Sequence, residues 1–232
     1  MKNLRYSRIA SINEIGNEGI EKLKNGKVLV IGCGALGSLC SMYLAASGVG
    51  TIGIADFDTI DISNLQRQLF FNEESLGKSK LKILSKRMSE INSEIAINEY
   101  QILINYQTAL EIFPSYNFII DGSDNPSTKK MTSQVCEKLE IPYCIGGVKE
   151  FSGQVMSWLP GCTGYTDLFG DFSTECGMSP CAINGVIGPA AGVVASVQAA
   201  EAIKYLCNVG SLIVNRLYSF NLLTPSSSIY TF

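Results

Sequence analysis

Histidine is absent from the 232 residues. That excludes Ser-His-Asp and Cys-His catalysis and every histidine metal ligand, so any chemistry here needs no neutral-pH base or borrows one. The eight cysteines are Cys33, Cys40, Cys136, Cys144, Cys162, Cys176, Cys181 and Cys207, and no two stand at C-x-x-C spacing. A zinc ribbon is therefore not encoded. Positive charge is not in excess, since the net charge is −3 and the pI about 5.1. No electrostatic footprint for nucleic acid or an anionic membrane is visible. Residues 1–8 lack an apolar core, so no secretion signal is expected, and free thiols in a reducing cytoplasm are. The one long apolar stretch, residues 186–206, carries Gln198, Glu201 and Lys204. It reads as a buried or dimer-packing helix rather than a membrane span. Repeats and low-complexity segments are also missing.

What is present can bury one substantial core, because 46% of the residues are hydrophobic. One elaborated domain is expected rather than two. The organising stretch is Val28-Leu29-Val30-Ile31-Gly32-Cys33-Gly34-Ala35-Leu36-Gly37. A short β-branched run ends in G-x-G-x-x-G, and a helical pattern follows at once. Gly32 permits the tight turn, Gly34 lets a phosphate approach the backbone, and Gly37 lets helix pack on strand. The helix N-terminus then offers free N–H groups to an anion. A second strand over 51–55 closes on Asp56, where an acid can bind ribose hydroxyls.

Residues 1–26 read as a polar arm and an amphipathic helix with Ile12, Ile15, Ile20 and Leu23 on its apolar side. Residues 27–150 form the nucleotide-binding part. Its further elements are a helix over 79–91, strands at 95–100 and 117–121, a helix over 127–139 and a strand at 142–145. Residues 151–232 hold strands at 153–159 and 213–220, a Gly-, Ser-, Thr- and Cys-rich loop over 160–182, and the late helix. The fold expected is α/β, a Rossmann-like doubly wound, mainly parallel sheet with an antiparallel C-terminal extension.

Two nucleotides compete. An NAD(P)-dependent oxidoreductase needs the glycine turn and Asp56 and little other charge. An ATP enzyme must also hold a triphosphate, with cations and a metal-binding acid. Residues 56–68 supply D-F-D-T-I-D-I-S-N-L-Q-R-Q, and Gly77-Lys78-Ser79-Lys80 puts Lys80 in the first turn of a helix. A lysine there opposes the helix dipole, so either an anionic ligand lies near it or it is an ordinary solvated lysine. Asp124, beyond the strand at 117–121, either holds Mg²⁺ or caps the helix ahead of Pro126.

The block from Asp56 to Gln68 resembles the signature of the ThiF/MoeB/HesA family, bacterial relatives of ubiquitin-activating enzymes. So do Gly32 to Gly37, Gly77 to Lys80, Asp121-Gly122-Ser123-Asp124-Asn125 and the N-terminal Arg5-Tyr6-Ser7-Arg8. The resemblance implies an adenylyltransferase in which Asp56 binds the ATP ribose and Asp58 belongs to the nucleotide site. Arg67 and Lys80 contact the phosphates beside Asn64 and Gln68, and Asp124 positions Mg²⁺. Arg8 reaches the triphosphate of the other subunit of a homodimer. The substrate implied is the C-terminal glycine carboxylate of a ubiquitin-like sulfur carrier ending in Gly-Gly; members acting on tRNA or peptides also occur. A terminal carboxylate, with a pKa of about 3.5, is already an anion at neutral pH and needs no general base. The family's loop cysteine, covalent in some relatives, matches Cys181, with Cys176 five residues earlier as the rival. Two C-x-x-C pairs hold zinc in many relatives. Here they fall on Cys162 to Tyr165 and on Thr224 to Ser227, with one cysteine of four. Zinc is expected to be absent.

Overall fold

The computed structural model describes residues 4–170 and 185–232. The arm opens with a 3₁₀ turn and α1 (Ser7–Ala10), and α2 (Gly16–Asn25) follows after a break. Ile20 and Leu23 of α2 are buried, whereas Ile12 lies in the break and is 46% exposed, so the apolar side is shorter than its spacing suggests. The chain then alternates through β1 (Lys27–Ile31), α3 (Ala35–Ser47), β2 (Thr51–Ala55), α4 (Lys80–Ile91), β3 (Ala96–Tyr100), α5 (Tyr106–Ile112), β4 (Phe118–Asp121), α6 (Pro126–Leu139) and β5 (Tyr143–Lys149). Next come β6 (Ser152–Trp158), α7 (Tyr165–Phe169), α8 (Gly188–Cys207), β7 (Arg216–Asn221) and β8 (Ser226–Thr231). One eight-stranded sheet results, in the order β3-β2-β1-β4-β5-β6-β7-β8. The first five strands in that order pair in parallel and the last three run antiparallel.

Period-2 alternation explains the two layers. Val28, Val30, Ile52, Ile54, Phe118 and Ile120 face one core with Leu44 of α3, Leu84 of α4 and Val194 of α8. Leu29, Ile31, Ile119, Tyr143 and Ile145 face the other, with Ala109 of α5 and Val135 of α6. Helices thus cover both faces, and the winding reverses between β1 and β4. The crevice outside the carboxyl ends of those two strands is where a doubly wound sheet binds ligands.

The late apolar helix is α8, with Ala190, Ala191, Val194, Ala195, Gln198 and Glu201 buried. Ser157 and the Ile213 N–H both donate to Glu201 at 2.7 Å, which explains an acid inside the core. Among the described residues no helix is long and apolar enough to cross a membrane. Sequence reading missed α5 and β8, and it ended β5 four residues early. Part of the presumed loop is helical, as α7; Cys176 and Cys181 lie outside the described residues.

Candidate active site

The glycine turn forms the floor. Gly32 adopts φ +87°, in the region where side chains are strained. A Cβ at Gly37 would lie 1.8 Å from the Gly32 carbonyl oxygen, so the first turn of α3 can close on β1 only through glycine. A cavity of about 570 Å³ opens above the turn. Gly32, Gly34, Asp56, Asp58, Asn64, Arg67, Gln68, Lys80 and Asp124 all line it. Residues separated by up to 92 positions are thereby brought to one crevice at the switch between β1 and β4.

Asp56 directly follows β2 and accepts from the Cys33 N–H (2.6 Å) and the Asp58 N–H (2.7 Å). Burial raises its pKa above the ordinary aspartate value, against the lowering effect of those two N–H donors and of Lys80. One carboxylate is therefore fixed in orientation against the turn that would carry a phosphate. Lys80 opens α4 behind the N-cap Ser79 and is 7% exposed, so it is not a solvated lysine. Its ammonium meets Asp58 Oδ2 at 2.8 Å. That ion pair answers the unfavourable helix dipole and holds the cation at the cavity wall.

The segment between β2 and α4 is shaped by its own short polar side chains. Asp61 accepts from the Ser63 N–H, and Asn64 returns a contact to the Asp61 N–H. A turn of 3₁₀ helix results, which sets the spacing of Asn64, Arg67 and Gln68. The Arg67 guanidinium donates to the Ser63 carbonyl at 2.9 Å, leaving most of its donors for other partners. Gln68 is 4% exposed, and its amide nitrogen lies over Gly34, 3.7 Å from where a Cβ would stand.

Asp124 follows β4 and is exposed. It does not cap α6: Asn125 does, accepting from the Ser127 N–H at 2.8 Å ahead of Pro126. The capping alternative for Asp124 is thus removed, and among the described residues no hydrogen bond or ion pair engages its carboxylate. Mg²⁺ is commonly bound through one or two carboxylates plus substrate phosphates, and an exposed Asp124 lining the cavity fits that chemistry.

Arg8 stands apart. Tyr6, two residues before it, packs over Gly48 beyond the carboxyl end of α3 and accepts from Asn92 Nδ2 at 2.7 Å. Arg5 donates to the Ile91 carbonyl at the end of α4. The glycine turn lies at the other end of α3, a 13-residue helix about 20 Å long, so Arg8 does not line its own chain's cavity. Sequence reading also missed Lys129. The residue is 7% exposed, and its ammonium meets the fully buried Asp121 at 3.2 Å. A lysine in a strongly polar helix gave no signal of burial.

This arrangement can be set beside proteins of known sequence and structure. At 38% identity over 228 residues, the chain is similar to the probable adenylyltransferase/sulfurtransferase MoeZ of Mycobacterium tuberculosis, with 96% of this chain and 58% of that protein covered. It is 37% identical over 224 residues to the probable molybdopterin-synthase adenylyltransferase of Porphyra purpurea, with 96% and 59% covered. The chain thus spans under three-fifths of the length of both these relatives. The crystal structure of E. coli MccB with ATP superposes with a TM-score of 0.84 at 25% identity, over 99% of this chain and 72% of that one. The pattern of the ThiF family matches residues 6–231, and the chain belongs to that family.

Proposed function

We propose that the chain binds ATP with Mg²⁺ and adenylates the C-terminal glycine carboxylate of a ubiquitin-like sulfur carrier, within a cytoplasmic homodimer. The observation that carries this reading is the convergence of Arg67, Lys80 and Asp124 with Asp56 on one crevice. An NAD(P) oxidoreductase would use Asp56 and the glycine turn but has no work for two cations and an acid together. The curated relatives named as adenylyltransferases, one of them for molybdopterin synthase, favour a sulfur carrier over tRNA or a peptide.

In this reading Asp56 accepts from the ribose hydroxyls, while the glycine turn and the N-terminus of α3 receive phosphate. Arg67 and Lys80 neutralise charge on the triphosphate, and Asn64 and Gln68 orient it. Asp124 would hold Mg²⁺, which supplies charge neutralisation at the phosphates when bound. The carrier carboxylate oxygen bonds to the α-phosphorus, the bond from that phosphorus to the bridging oxygen breaks, and pyrophosphate leaves with the electron pair. The carboxylate enters as an anion, so no proton has to be removed. Positioning and charge neutralisation are the work left to the protein, which suits a chain without histidine.

Calorimetric titration tests the nucleotide directly. ATP with Mg²⁺ should bind at about one per chain and NAD⁺ or NADP⁺ should not; binding of either dinucleotide without ATP binding overturns the reading. The same preparation should contain no stoichiometric zinc, because Tyr165, Thr224 and Ser227 replace three of the four expected thiolates. Elemental analysis finding about one zinc per chain would refute that expectation and show that other cysteines had been recruited.

A further inference from the structure

We infer that Lys129 is a positioning residue for Asp124, acting through Asp121 and Ser123, and the inference rests on the ATP and Mg²⁺ reading above. Asp121 closes β4 and is fully buried. Its Oδ1 accepts from the Ser123 N–H (2.9 Å), the Ser123 hydroxyl (2.6 Å) and the Lys129 ammonium (3.2 Å). The same ammonium donates to the Ser123 carbonyl at 2.5 Å. Gln198 of α8 donates to the Asp121 carbonyl at 2.8 Å, and the Gly122 N–H donates to Ile31 O at the end of β1. The turn from Asp121 to Ser123 is therefore wound around one buried cation and tied to β1 and α8. Asp124 comes next, and Asn125 then caps the helix that carries Lys129. Asp124 is held between two clamps, Lys129 on α6 and the N-cap Asn125 just ahead of it.

A lysine whose work was only to offset the Asp121 charge would need no contact with the loop. Lys129 makes its shorter bond to the Ser123 carbonyl, the residue directly before Asp124. Charge and geometry are thus coupled: without the ammonium, a buried carboxylate loses its cation and the loop loses its inner tie. The direction in which Asp124 presents its oxygens to the cavity should then be lost, even with the sheet intact.

The test is ATP binding measured calorimetrically across Mg²⁺ concentrations, with thermal melting in parallel. Lys129→Met should raise the Mg²⁺ concentration for half-maximal binding about tenfold, the scale seen when a group supporting a metal ligand is removed. Lys129→Arg should stay within about twofold of wild type, since its guanidinium can span both acceptors. In an Asp124→Ala background Lys129→Met should add nothing, because the residue it positions is gone. If Lys129→Met does not fold, Lys129→Gln is read in the same way. Wild-type Mg²⁺ dependence in a folded Lys129→Met or Lys129→Gln variant overturns the inference alone. A full second loss in the double variant does the same. Wild-type protein that binds no ATP overturns the functional reading, and the inference with it.

Discussion

Asp124→Ala should lower carrier-dependent ATP–pyrophosphate exchange on the order of 10²-fold or more while the protein melts as wild type. Both halves come from placement. The carboxylate stands on the rim of the cavity, beyond β4, with no hydrogen bond or ion pair to the described residues. Removing it breaks no hydrogen bond or ion pair among the described residues. The cap of α6, whose loss would cost about 1 kcal/mol, belongs to Asn125 and is untouched. In the proposed reaction, however, Asp124 is the acid that holds the metal against a triphosphate. A variant with unchanged melting and full exchange would remove Asp124 from the site.

The second large effect is a recovery. Arg8→Ala and Asp124→Ala should each be nearly inactive as homodimers, yet a mixture that has exchanged subunits should regain about a quarter of wild-type site activity. Arg8 sits beyond the carboxyl end of α3, remote from its own cavity, on an arm fixed by Tyr6 to Asn92 and by Arg5 to Ile91. Such an arm does not reach its own glycine turn. Supplied across a dimer, its planar fork can neutralise phosphate charge in the manner of an arginine finger. Random pairing makes about half the dimers mixed, and each mixed dimer keeps one site with both native residues. Verified exchange without recovery would sink the shared site, and a monomer by light scattering would sink it sooner.

The parallel half of the fold was legible because its signals are local. β1, α3 and β2 follow from a β-branched run, three spaced glycines and an acid, and β2 spans the residues the pattern predicts. The N-L-x-R-Q segment was legible by resemblance, and the structure supplies its reason: Asp61 and Asn64 build the turn that spaces Arg67 and Gln68. Other features depend on partners far away in sequence. β8 has every residue exposed and is a strand only because it pairs with β7. α5 is capped by Asn105 but is only seven residues long, too short for periodicity to reveal. For Lys80 the sequence allows a nearby anionic ligand or ordinary solvation, and the ion pair with Asp58, 22 residues earlier, is what buries it at the cavity wall. The burial of Lys129 follows from Asp121 and Ser123, which the helix pattern does not contain.

The claim that one crevice gathers these residues to adenylate a carboxylate is tested most directly by the product. The chain should be incubated with ATP, Mg²⁺ and a ubiquitin-like sulfur carrier ending in Gly-Gly, and the carrier then weighed by mass spectrometry. The account predicts a carrier heavier by one AMP moiety, formed with release of pyrophosphate and missing when the carrier lacks its terminal glycine. An unmodified carrier, alongside intact ATP binding and a correctly folded partner, would contradict it.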